Sequence, residues 1–165
     1  MIHGCDLSHI YFFLFEFLSI PKTEMDLFHE ESEGILLTKV LVVDDEVDIL
    51  KLLQKFLISK SCEVFLAMNN RMALQKLKDE KPDIVLLDIL MPGVGGIDTL
   101  KQIKQIRPET KVIMISALGD EEIARRALEL GAADYIVKPI NIDYLETCLL
   151  VHQTMTAGGN PLRSS

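Results

Sequence analysis

The sequence predicts an α/β fold: a doubly wound, five-stranded parallel sheet with helices on both faces. Three observations lead there. From Lys39 onward, short apolar runs rich in β-formers alternate with longer amphipathic stretches through to His152. The short runs are continuously apolar, as strands buried on both faces require. Helix-breaking residues fall at the joins between the two kinds of segment.

The strands are expected at VLVV (40–43), EVFLA (63–67), IVLL (84–87), VIMI (112–115) and DYIV (134–137). Between them, apolar residues recur at helical spacing. Residues 46–59 place Ile49, Leu50, Leu53, Phe56 and Leu57 on one face, and residues 70–80 do so with Ala73, Leu74 and Leu77. Residues 97–106 use Leu100, Ile103 and Ile106, and residues 121–130 use Ile123, Ala124, Ala127 and Leu128. The last helix, 141–152, uses Ile142, Leu145 and Leu149. Pro82 and Pro108 stop helices just before strands, Gly131 stands at a C-terminal cap, and Asn70 is placed to cap the second helix.

Outside residues 39–152 the chain changes character. Residues 1–38 form an N-terminal extension with seven acids against one base, Lys22, and residues 153–165 read as a polar, flexible tail. The run IYFFLFEFLSI (10–20) is too short to span a bilayer, which takes about 20 residues. Residues 1–9 carry no Lys or Arg, so a secretory signal is not expected, nor is membrane contact by residues 10–20. Three readings of this extension stand: a partner-binding or interfacial helix, a poorly ordered segment, or translated sequence upstream of a start at Met25. Residues 26–34 read as an acidic linker.

The net charge is −8, most of it in the extension, and residues 39–152 hold eighteen acids against fifteen bases. A body this balanced offers no electrostatic footprint for nucleic acid, so direct binding to DNA or RNA is not expected. Cys5, Cys62 and Cys148 lack disulfide or zinc spacing and read as reduced cytoplasmic thiols.

In an open α/β sheet, ligand-contacting residues sit just beyond the carboxyl ends of the strands. The first strand ends in Asp44-Asp45-Glu46 and the third in Asp88. Asp44 and Asp45 by themselves are ambiguous, because an acid pair also suits a helix N-terminus. Asp88 precedes the turn LMPGVGG, where no helix dipole is on offer. Clustered carboxylates favour a hard cation such as Mg²⁺. The fourth strand ends in Ser116 and the fifth in Lys138-Pro139, adding a hydroxyl and an ammonium to an acidic cleft. A nucleophile, a metal and two donors match the needs of a phosphoryl group.

The segments VLVVDDE, DIVLLDILMPGVGGID, VIMISA and GAADYIVKPI, in this order, resemble bacterial two-component response-regulator receiver domains, especially the chemotaxis regulators. The resemblance covers Lys39 to about His152. It implies a flavodoxin-like strand order 2-1-3-4-5, the order of the chemotaxis member of the family. It also implies that Asp88 accepts a phosphoryl group from a sensor histidine kinase or phosphotransfer protein. Mg²⁺ would be held by Asp45, Asp88 and the Leu90 backbone carbonyl, with Asp44 helping directly or through water. Ser116 and Lys138 would bond the phosphoryl oxygens, and the peptide between Lys138 and Pro139 would be cis. Tyr135 stands at the switch-aromatic position; a strand-end Tyr resting its ring on a helix is the alternative. Catalysis would extend only to the protein's own aspartyl phosphorylation and dephosphorylation. Output would pass to a downstream protein through the face of helix four, strand five and helix five.

One departure from rapid self-dephosphorylation stands out. Leu90 and Leu118 occupy positions where fast members tend to carry polar groups, so a long-lived phosphoryl state is expected. Two other readings compete with a stand-alone receiver. A DNA-binding regulator would need an output domain that this chain lacks. A flavodoxin-like cofactor binder would need a neutral phosphate loop where Asp44-Asp45-Glu46 stands.

Overall fold

The computed structural model describes residues 37–117 and 119–157. The readings placed on residues 1–36, Leu118 and 158–165 lie outside the described residues. Among the described residues, five strands alternate with five helices in chain order: β1 (Lys39–Val43), α1 (Val47–Ser59), β2 (Glu63–Ala67), α2 (Asn70–Glu80) and β3 (Ile84–Asp88). There follow α3 (Gly96–Ile106), β4 (Lys111–Ser116), α4 (Glu121–Glu129), β5 (Asp134–Val137) and α5 (Ile142–Ala157). All strand pairs are parallel and the sheet order is β2-β1-β3-β4-β5, as expected.

Side chains of successive strand residues point to opposite faces, so each central strand feeds two cores. Val40, Val42, Ile84, Leu86, Ile113 and Ile115 pack with Leu50, Leu53 and Leu57 of α1 and Leu145 and Leu149 of α5. Leu41, Val43, Val85, Leu87, Val112 and Met114 pack with Ala73 and Leu77 of α2, Leu100 and Ile103 of α3, and Ala127 of α4. Burying each large aliphatic side chain contributes roughly 1.5–3 kcal/mol, which makes the three central strands the anchor of the fold. The edge strands β2 and β5 are only partly buried.

Several local expectations need correction. Asn69, not Asn70, caps α2: its Oδ1 accepts the Met72 N–H at 2.9 Å. Asn70 is the first helical residue and points its amide elsewhere. Ile106 and Leu128 are exposed at 41% and 49%, because the neighbouring elements cover a narrower arc than the apolar period suggests. Helix α5 continues to Ala157, five residues past the expected end at His152. Gly131 follows the end of α4 with φ +94°, a left-handed conformation that suits glycine.

Candidate functional site

Register brings the expected residues to one end of the sheet. Val43 pairs with Leu87, so Asp44, the next residue, stands level with Asp88 at the end of β3. Asp88 pairs with Ile115, which puts Ser116 one step further along β4. Ser116 pairs with Val137, and Lys138 follows at once. The Lys138 N–H donates to the Ser116 carbonyl at 2.7 Å, tying the ends of β4 and β5 together. The peptide between Lys138 and Pro139 is cis.

Asp44 and Asp88 are buried, and Asp45 is half-buried. One carboxylate oxygen from each of the three lies within 4.8 Å of the others. Asp44 Oδ1 accepts the Glu46 N–H at 2.8 Å, which turns the chain into α1. Lys138 Nζ then bridges the cleft, 2.9 Å from Asp44 Oδ2 and 3.2 Å from Asp88 Oδ1. Glu46 Oε1 also lies 3.3 Å from this ammonium, a contact that spacing alone did not indicate. Asp88 Oδ1 is buried and, among the described residues, accepts no aligned hydrogen bond, so its contact with Lys138 is an ion pair lacking hydrogen-bond alignment.

The electrostatics follow from that arrangement. Burial raises the Asp88 carboxyl above its ordinary value, and the like charges of Asp44 and Asp45 add to this, while Lys138 works against it. For Lys138, burial opposes the charge. The carboxylates of Asp44 and Asp88 outweigh it, and the ammonium is held more firmly protonated than usual. One ammonium among three carboxylates leaves an excess of negative charge. A hard divalent cation with oxygen ligands fits that excess and the unbonded Asp88 oxygen, so the donor set suits Mg²⁺.

The backbone behind Asp88 is equally confined. A Cβ on Gly96, at the start of α3, would run into the Asp88 carbonyl and the Ile89 Cα. Only glycine lets the turn close this tightly. The Leu90 side chain is half exposed in the same turn. Tyr135 is half-buried and packs against the core shared by α2, α3 and α4, with β4 standing between its strand and that of Asp88.

Residues 40–149 match the family model of the response regulator receiver domain. The chain belongs to that family of two-component phosphoacceptor proteins. It is similar to chemotaxis protein CheY of Bacillus subtilis, with 39% identity over 106 residues, 64% of this chain and 88% of that protein. Sporulation initiation phosphotransferase F of the same organism is 38% identical over 105 residues, covering 64% and 85%. Among solved structures, the CheX–CheY–BeF3–Mg complex from Borrelia burgdorferi matches with a TM-score of 0.66 and 35% identity. That match covers 68% of this chain and 87% of the other. Receivers of this family bind Mg²⁺ at an acidic pocket and act with histidine kinases and downstream proteins. Among the described residues, no helix is long and apolar enough to cross a membrane.

Proposed function

We propose that Asp88 takes a phosphoryl group from a phosphohistidine, on a sensor histidine kinase or a phosphotransfer protein, and so switches the chain's contacts with a downstream protein. The observation that carries this reading is the buried, hydrogen-bond-free Oδ1 of Asp88 beside the Lys138 ammonium in a three-carboxylate cleft. An Asp88 carboxylate oxygen attacks phosphorus in line. A P–O bond forms, the P–N bond to the donor imidazole breaks, and the departing imidazole is neutralised by a proton from water. Lys138 offers its ammonium to the phosphoryl oxygens, and Ser116 offers a hydroxyl.

Asp44, Asp45 and Asp88, with the Leu90 backbone carbonyl, would hold Mg²⁺, whose charge offsets the repulsion between carboxylate and phosphate when it is bound. Phosphorylation adds negative charge and new acceptor oxygens that Lys138 and Ser116 can follow. The response is a population shift read on the face of α4, β5 and α5, with Tyr135 as its internal aromatic. A cytoplasmic setting agrees with the reduced thiols of Cys62 and Cys148.

Labelling with a radioactive small phosphodonor, acetyl phosphate with Mg²⁺, tests the assignment. The wild-type chain acquires hydroxylamine-labile label, and Asp88→Asn acquires none. Stoichiometric label on Asp88→Asn overturns it. Lifetime provides a second test. With Leu90 unable to orient an attacking water, the label should persist for minutes or longer after donor removal; decay within seconds contradicts this.

A further inference from the structure

Behind the carboxylates, a chain of hydrogen bonds runs between two helices far apart in sequence. Asn70, the first residue of α2, donates from Nδ2 to Thr99 Oγ1 at 3.0 Å and to Gln102 Oε1 at 3.2 Å. Thr99 lies in the first turn of α3 and is completely buried. Its hydroxyl donates in turn to the Gly95 carbonyl at 3.0 Å. The Thr99 N–H reaches the same carbonyl at 3.0 Å, so this oxygen is held twice.

Gly95 is the N-cap of α3 and has no side chain with which to fix the helix start. The next residue, Gly96, leaves no room for a Cβ against the Asp88 carbonyl and donates its N–H to Ile89 O at 3.0 Å. On the other side, the β2 end that leads into Asn69 and Asn70 is bonded to the acidic cleft. There the Asp44 N–H donates to Ala67 O at 3.1 Å. The bonds and the short loops between them therefore make a loop of constraints: Asp44, Ala67, Asn70, Thr99, Gly95, Gly96 and back to Asp88. Its two ends are the carboxylates whose separation defines the site.

We propose that Thr99, supported by Asn70, is a positioning residue that fixes the Gly95-Gly96 turn behind Asp88 and thereby sets Asp88 against Asp44 and Asp45. This inference rests on the phosphoacceptor reading of Asp88. Thr99 touches neither the phosphoryl group nor the metal ligands; it acts through the backbone. A buried hydroxyl with both its donor and an acceptor position used is a constraint that an apolar isostere removes at almost no change of shape. Releasing it lets the turn sample wider openings, and misplacement of a reacting group by a fraction of an ångström slows transfer sharply.

The test compares Thr99→Val, Thr99→Ser and Asn70→Ala in the full chain by two measurements. One is the initial rate of label transfer from acetyl phosphate at saturating Mg²⁺. The other is amide hydrogen exchange, site by site. Thr99→Val should slow labelling roughly tenfold, the equivalent of ~1.4 kcal/mol in the barrier. It should also speed Gly96 amide exchange while leaving Leu86, deep in β3, at its wild-type rate. Thr99→Ser restores both, and Asn70→Ala, on a half-buried side chain, gives a smaller effect in the same direction. Wild-type labelling by Thr99→Val, or unchanged Gly96 exchange, overturns the proposal. If Thr99→Val fails to fold, Asn70→Ala decides alone: unchanged labelling and Gly96 exchange in it overturn the proposal. A wild-type chain that takes no label on Asp88 sinks the phosphoacceptor reading instead, and Gly96 exchange still judges the turn.

Discussion

At the scale of single residues, Asp88 illustrates a conflict between stability and chemistry. Burial and two neighbouring carboxylates raise its pKa above 3.8, and Lys138 offsets this only in part. A carboxyl whose folded pKa is raised binds protons more readily in the folded state than in the unfolded one. Its stabilising contribution is therefore complete below 3.8 and is lost as pH rises through the folded value. Without metal, ionising this group therefore costs the fold stability. Asp88→Asn in EDTA should accordingly melt higher than wild type at pH 7 by about 3 °C, on the order of 1 kcal/mol. The gap should close as pH is lowered toward 4. Thermal melts across that range check it, and a variant that melts below wild type at pH 7 refutes the charge argument.

Among the elements, helix ends show where backbone chemistry is satisfied and where it is not. Gly131 takes the left-handed conformation after α4 at little cost, whereas α2 ends on Lys81 with φ +51°. Lys81 is exposed and precedes Pro82, so its side chain pays for the conformation with no contact among the described residues that requires it. Lys81→Gly should stabilise the chain by ~0.5–1 kcal/mol, the balance of relieved strain and added unfolded-state entropy. A higher urea midpoint at unchanged slope is the signature. Helix α2 also shows why boundaries are hard to read. Asn69 and Asn70 have equal capping chemistry, and only the backbone turn after Ala67 assigns the cap to Asn69.

For the molecule as a whole, the acidic cleft couples folding to metal. Asp44 and Asp45 come from the end of β1 and Asp88 from the end of β3, so the unfolded chain has no preformed site. Mg²⁺ should therefore stabilise the native state, by about 2.7 kcal/mol at a hundred times its dissociation constant. EDTA should reverse the gain, and Asp45→Asn should abolish most of it. Differential scanning calorimetry with and without Mg²⁺ reads this directly; equal stabilisation of wild type and Asp45→Asn argues against the cleft as the binding site.

Strand-end residues were legible in the sequence because β-strand geometry is regular. Parallel strands bring their carboxyl ends to one edge of the sheet, so Asp44, Asp88, Ser116 and Lys138 become neighbours there once the family resemblance supplies the strand order. Local composition likewise determined the five strands and most of the helix faces. What only the tertiary structure decided depends on side chains reaching across sequence distance. Glu46 at the Lys138 ammonium, the close pressing of Gly96 on Asp88, and the bond from Asn70 to Thr99 leave no periodic trace. Periodicity records which way a residue faces, whereas these contacts depend on how far apart two elements settle after their cores have packed. The same limit explains Ile106 and Leu128, apolar residues in helical phase that no element among the described residues reaches far enough to cover.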